Sequence, residues 1–244
     1  MPACALKVQL IRHTAEPERI VALGARLCYS GKTLGSLIAC AQAEEQDAFL
    51  RDVIGSGHAS VMEHAVFTFA VEGVSRALMA QLTRHRIASF SVQSQRYVSK
   101  AKGFGYIIPP SIERLGEEAV REYEAQMETI QGWYASWRER LGGKGEQANE
   151  DARFVLPNAC ETRLMLTMNA RELTHFFSLR CCRRAQWEIR SLADTMLRLA
   201  YQAAPALFEA AGPPCVHGPC GEGERSCGQG LEVRQHLSKL KQRG

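Results

Sequence analysis

Four stretches of this 244-residue chain hold side chains able to do chemistry. The first runs Thr83-Arg84-His85-Arg86-Ile87-Ala88-Ser89-Phe90-Ser91-Val92-Gln93-Ser94-Gln95-Arg96-Tyr97. Three consecutive cationic or titratable side chains cannot share one face of a helix. They either fan into solvent or sit where the chain bends around an anion. A guanidinium grips phosphate bidentately, so a phosphate is the natural guest of the second arrangement. The second stretch is Asn169 to Arg190. If helical, it stacks Arg171 on His175 and Arg180 on Arg184 one turn apart, with Phe176 and Phe177 on the packed side. Taken alone, it reads best as a helix salt-bridged through Glu172 and Glu188. The third, Gly57-His58-Ala59-Ser60-Val61-Met62-Glu63-His64, invites a zinc reading, but its histidines are six apart and lack the i, i+4 spacing of HExxH. A histidine in a cofactor pocket or a satisfied core histidine fits better. In the fourth, Cys215, Cys220 and Cys227 could form a zinc knuckle with a further ligand from His217, Cys181 or Cys182. Their spacing departs from CxxC, and reduced thiols or a redox pair are the alternative.

The elements that must position these groups follow from periodicity and punctuation. Lys7 to Ile11 alternates apolar and polar residues as a half-buried strand does. Pro17 and Glu18 open a helix through Leu27, and a second helix is expected from Glu44 to Ile54, closed by Gly55 and Gly57. Val66 to Val71 has the β-branched and aromatic content of a buried strand that Gly73 stops, before a helix from Ser75 to Arg84. Arg96 to Lys100 reads as a short strand and Gly103 to Pro110 as loop or edge. Glu113 to Arg140 is a long amphipathic helix, followed by a turn at residues 142–145 and another helix beginning at Asp151 to Leu156. Ala159 to Asn169 is ambiguous, its threonines favouring a strand. Arg171 to Phe208 is helical, with Leu192, Met196 and Leu199 at core-facing spacing.

Composition bounds the class. A hydrophobic fraction of 45% and a charged fraction of 23% suit a globular chain with a substantial core. The net charge of +4 is too small for a protein whose main partner is nucleic acid. No apolar run is long enough to span a membrane, and the amino terminus has no secretory pattern, so a cytoplasmic protein is expected. Nine cysteines, an odd number, suit free thiols or a metal site better than a disulfide framework. After Gly212 the composition turns rich in Gly, Pro and Cys, which divides the chain into a domain over 1–211 and a tail over 212–244.

Taken together, the motifs resemble one family, the flavin-dependent thymidylate synthases. Its signature is Arg-His-Arg, seven residues, then Ser; here Arg84-His85-Arg86 is followed in that way by Ser94. The Ser-Gln-Arg-Tyr at 94–97, the GHxSxxEH block at 57–64, Arg-Phe-Val-Leu-Pro at 153–157, Asn-Ala-Arg at 169–171 and Arg-Ala-Gln-Trp-Glu-Ile at 184–189 also look like family blocks. The likeness covers residues 20 to 208. It implies an α/β (α+β) fold with a mixed sheet packed by long helices, a homotetramer with active sites built from more than one chain, and reductive methylation of dUMP to dTMP. FAD would be the cofactor, 5,10-methylenetetrahydrofolate the carbon donor and NADPH the reductant.

Carried over position by position, the resemblance implies that FAD is held by Ser60, Arg84, His85, Arg86, Asn169, Arg171 and His175. It implies that dUMP is held by Gln81, Arg84, Ser94, Gln95, Arg96, Arg153 and Arg180. Arg180 would activate the uracil ring, because a fixed guanidinium beside N3 and its neighbouring carbonyl stabilises the ionised pyrimidine. No covalent enzyme nucleophile is then needed. Ser94 has no base at a recognisable spacing and is assigned to substrate binding. His58 would help position folate. Val92 stands where many members carry Glu or Gln, and His175 and Arg184 occupy variable positions. Pro213-Pro214-Cys215 superficially resembles the nucleophile segment of the cysteine-dependent thymidylate synthases, but it lies in the Gly-rich tail with no strand to hold it.

Overall fold

The structure is a computed structural model and describes residues 1–43 and 46–242. In chain order its regular elements are β1 (Lys7–His13), α1 (Pro17–Tyr29), α2 (Leu34–Ala43), α3 (Asp47–Gly55), β2 (Val66–Ser75), α4 (Arg76–Leu82) and β3 (Ala88–Val92). They continue with α5 (Pro110–Glu113), α6 (Glu117–Arg140), α7 (Gly145–Ala152), β4 (Glu161–Asn169), α8 (Ala170–Arg180), α9 (Trp187–Ala203), α10 (Pro205–Phe208) and α11 (Gly230–Gln242). Short 3-10 turns cover Ala59–His64, Arg153–Val155, Pro214–Val216 and Gly223–Arg225. No described helix is long and apolar enough to cross a membrane.

The four strands form one sheet in the order β1-β2-β4-β3. The Ala170 N–H donates to the Ala65 carbonyl, the Thr68 and Thr167 hydroxyls meet at 2.9 Å, and the Arg76 N–H donates to the Cys160 carbonyl. Residue numbers rise along β2 as they fall along β4, the antiparallel register. The expected mixed sheet is therefore corrected to an antiparallel one; the parallel bridge of Ala3 with Tyr106 lies outside the named strands.

The chain divides into two compact units: residues 1–7, 71–84 and 90–165 form the first, and residues 8–70, 85–89 and 166–244 the second. The first is built on α6, whose apolar side helps bury Phe104, Tyr106, Met127 and Cys160. Its tightest backbone approach is at Gly73, where φ is +70° and an added Cβ would fall inside the Ala5 carbonyl. That glycine lets β2 continue to Ser75, two residues past the expected stop. The second unit centres on Phe67, Phe176, Phe177 and Phe208, which pack edge to face with centroids 5.3–6.0 Å apart. The described part of the C-terminal segment belongs to this unit: Val233 and Leu237 are buried, His236 Nε2 lies 2.9 Å from Asp194, and the Lys241 ammonium donates to the Glu209 and Ala211 carbonyls.

Several expected elements move. No strand forms at 96–100; the strand is β3, at 88–92. The Ser94 hydroxyl accepts the N–H groups of Arg96 and Tyr97 and turns the chain there. The helix expected from Glu44 begins at Asp47 among the described residues, Glu44 and Glu45 lying outside them, and α2 precedes it unanticipated. The continuous helix expected from Arg171 to Phe208 is three helices, because the Gln186 side chain accepts from the Glu188 and Ile189 N–H groups and starts α9 afresh.

Candidate active site

In the second unit the site is built around His85. The residue is only 6% exposed, and both of its ring nitrogens are engaged. The Arg180 Nε–H donates to Nε2 at 3.1 Å, while Nδ1 lies 3.0 Å from Glu172 Oε1. An imidazole that accepts at Nε2 and faces a carboxylate at Nδ1 is neutral, with its proton on Nδ1 donated to Glu172. Burial pulls the His85 pKa below the usual imidazole value; the Glu172 hydrogen bond and charge oppose this, while the charges of Arg180 and His175 add to it. The Phe176 ring closes one side edge-on, 4.9 Å between centroids.

Helix α8 sets this geometry. Asn169 caps it by accepting the Glu172 N–H at 2.8 Å, which fixes Glu172 in the first turn, and Arg180 completes the last turn. Burying Glu172 is tolerable because its carboxylate meets the imidazole N–H. On either side of His85, Arg84 and Arg86 are exposed, and among the described residues neither is ion-paired with a carboxylate. Arg171 pairs with Glu63 at 2.6 Å, tying α8 to the 3-10 turn that carries the exposed Ser60. His175 is exposed on the next turn, its ring 6.0 Å from that of His85. His58 meets the Tyr29 hydroxyl at 2.8 Å on an exposed surface.

In the first unit a cavity of about 490 Å³ is lined by Arg76, Thr83, Val92, Gln93, Ser94, Gln95 and Arg153, among others. Among the described residues no carboxylate lines it. The Arg153 Nε–H donates to the Glu150 carbonyl, and among the described residues no carboxylate forms an ion pair with it. A polar cavity with two arginines and no acid is suited to a phosphate dianion. Of the residues expected for dUMP, the structure gathers Ser94, Gln95 and Arg153 here. Gln81 and Arg84 do not line the cavity, and Arg96 is drawn to Glu150 at 2.9 Å and Glu146 at 3.4 Å. Arg180 belongs to the second unit.

The family described as "Thymidylate synthase complementing protein" matches residues 9–206. A flavin-dependent thymidylate synthase of Geobacter sulfurreducens is 50% identical over 236 residues, which cover 96% of this chain and 99% of the relative. The chain belongs to the flavin-dependent thymidylate synthase family. Flavin-dependent thymidylate synthases of Clostridium tetani and Nitratidesulfovibrio vulgaris are 45% and 46% identical, covering 94% and 97% of this chain and 96% and 100% of the relatives. The crystal structure of a UMP/dUMP methylase, PolB from Streptomyces cacaoi, bound with 5-Br dUMP, aligns with a TM-score of 0.67 at 26% identity, over 85% of this chain and 94% of that one.

Within this flavin-dependent thymidylate synthase family member, two site residues escaped the sequence reading. Arg76 opens α4 directly after β2 and lines the first-unit cavity; its only signal is a cation where strand turns to helix. Glu172 reads from sequence as a salt-bridge partner, whereas it is the buried acceptor for His85. Cys215, Cys220 and Cys227 do come together with Cys182, Arg180 and Arg184 around a second-unit cavity of about 380 Å³. Among the described residues, however, no group of three or more His, Cys, Asp or Glu side chains is arranged to hold a metal, and all nine cysteines are free. Burial and the neighbouring Cys182, Cys220 and Cys227 push the Cys215 thiol up, whereas the Ser226 hydrogen bond pulls Cys220 down.

Proposed function

We propose that this protein methylates dUMP to dTMP, taking the carbon from 5,10-methylenetetrahydrofolate and the reducing equivalents from NADPH, with FAD as its cofactor. The observation that carries the reading is the acid-free cavity in which Arg76 and Arg153 stand beside Ser94 and Gln95. The two guanidinium groups meet the nucleotide's phosphate charge, and Ser94 and Gln95 offer the neutral donors and acceptors that a sugar and a uracil edge require. Family membership supplies the same reading independently, and the similar methylase of known structure is one bound to a dUMP analogue.

The chain's donors suit FAD. Arg84 and Arg86, exposed and without an ion-pair partner among the described residues, match a pyrophosphate, and Ser60, Asn169, Arg171 and His175 add hydrogen-bonding groups. His85 is the middle residue of the triplet that the family resemblance assigns to FAD; it is buried and accepts the Arg180 Nε–H. Held there, a reduced FAD would supply hydride and help carry the one-carbon unit. Arg180 performs the protein's own chemistry: held at the end of α8, it stabilises negative charge on N3 and the adjoining carbonyl of uracil, which raises electron density at C5 for attack on the carbon donor. His58 helps to position folate. We further propose a cytoplasmic homotetramer whose active sites draw residues from more than one chain.

The experiment is tritium release from 5-tritiated dUMP in the presence of FAD, methylenetetrahydrofolate and NADPH. Wild type releases tritium and forms dTMP; Arg180→Ala binds dUMP but loses release by about 100-fold or more. Purified protein that binds neither flavin nor dUMP ends the proposal.

A further inference from the structure

We infer that Glu172 and His85 are positioning residues for Arg180: the carboxylate holds the imidazole in its Nδ1–H form, and the Nε2 lone pair so exposed receives the Arg180 Nε–H and aims the guanidinium. The inference rests on the role proposed above for Arg180. Two contacts define the geometry, 3.0 Å from Nδ1 to Glu172 and 3.1 Å from Arg180 Nε to Nε2, about a residue that is 6% exposed.

An arginine hangs from its helix on several rotatable bonds, so a directional task needs an anchor. Anchoring at Nε fixes the plane of the guanidinium while the fork of Nη1 and Nη2 extends from it. His85 is suited to this because, as a neutral ring, it accepts a hydrogen bond without placing a charge beside the guanidinium, and because burial and the Phe176 ring leave it little freedom. The tautomer is decisive. A proton on Nε2 would oppose donor to donor, and a doubly protonated ring would also set a second cation against Arg180. Glu172 selects the working tautomer by offering Nδ1–H a buried acceptor, and its own place is secured by the Asn169 cap.

The same arrangement makes Arg180 sensitive to acid. The groups that act on the His85 charge are Glu172, Arg180 and His175, all on α8. The elements packed against α8 add Glu63, paired with Arg171 on the 3-10 turn, and the buried Glu188 of α9. Glu172 favours the protonated ring, whereas burial and the two cationic neighbours disfavour it. Removing the Glu172 charge while keeping an amide oxygen must therefore move protonation of His85 to lower pH.

The test uses the full chain loaded with FAD and labelled with 15N-histidine, followed by NMR from pH 8 to pH 5, alongside the pH profile of kcat for tritium release. Wild type is expected to show His85 as the Nδ1–H tautomer at neutral pH and an acid limb of kcat that tracks its protonation. Glu172→Gln moves both to lower pH and lowers kcat about tenfold, with KM for dUMP changed less than about twofold. His85→Gln, which offers an acceptor but no titrating ring, loses the limb. An Nε2–H tautomer in wild type, or one acid limb shared by all three proteins, overturns the inference; the wild-type spectrum decides even if a variant fails to fold. Failure of the wider functional reading is separable: Arg180→Ala would then release tritium normally while the wild-type His85 tautomer stayed as described.

Discussion

Replacing Arg76 by Gln tests the phosphate assignment of the first-unit cavity. Arg76 is half-buried at the start of α4, its N–H held by the Cys160 carbonyl, and among the described residues no carboxylate forms an ion pair with its side chain. Its removal therefore strands no buried acid, and the fold loses little. A hydrogen bond to a charged group contributes about 1.5–3 kcal/mol, which corresponds to a rise in the dissociation constant for dUMP of roughly 10- to 150-fold. Deoxyuridine, which has the same base and sugar without the phosphate, should bind the variant and wild type alike. Calorimetric titration of both ligands into both proteins measures the ratio directly, and Arg153→Gln should repeat the pattern. Equal weakening of nucleotide and nucleoside would refute the reasoning, because the arginine would then shape the cavity without meeting the phosphate.

Two further perturbations probe different parts of the chain. Gly73→Ala puts a methyl group into the Ala5 carbonyl at a backbone φ of +70°, and should cost about 3 kcal/mol or more in a urea melt, or leave no soluble protein. Cys215→Ser should leave dTMP formation within about twofold of wild type, since no thiol adduct is required of a cysteine set in a Gly-rich segment and pushed toward its neutral form by burial; abolished turnover with intact flavin binding would restore the thiol to the mechanism.

The elements that could be read from sequence are those whose pattern comes from one face of burial. Helix α1, with Pro17 at its start and Val21, Ala22 and Ala25 buried, lies where its proline and acidic first turn place it. Of the α9 residues expected to face the core, Leu192 and Met196 are likewise buried, while Leu199 is only partly so. Helix α2 escaped because Leu34, Leu37, Ile38, Ala39, Cys40 and Ala41 give it almost no polar side, and a short apolar run has no readable period. β3 escaped because its alternation is built from Ser89 and Ser91 beside Phe90, beneath a cationic triplet that draws the eye to chemistry. In both cases tertiary contact decides what local pattern leaves open.

The cationic triplet shows why a motif can be identified long before its working parts are. As a sequence, Arg84-His85-Arg86 offers three equivalent polar groups and two readings, a solvated patch or an anion site. The chain resolves the choice by alternation: Arg84 and Arg86 face outward, while His85 turns in and is buried. Burial of a neutral imidazole demands a partner at each nitrogen, and those partners, Glu172 and Arg180, lie 87 and 95 residues away in sequence. No local spacing rule reaches that far, so the sequence can suggest an anion site at the outer arginines but not the inner link. The consequence is physical: the same triplet exposes two positive charges on one side and, on the other, holds the arginine on which the proposed chemistry depends.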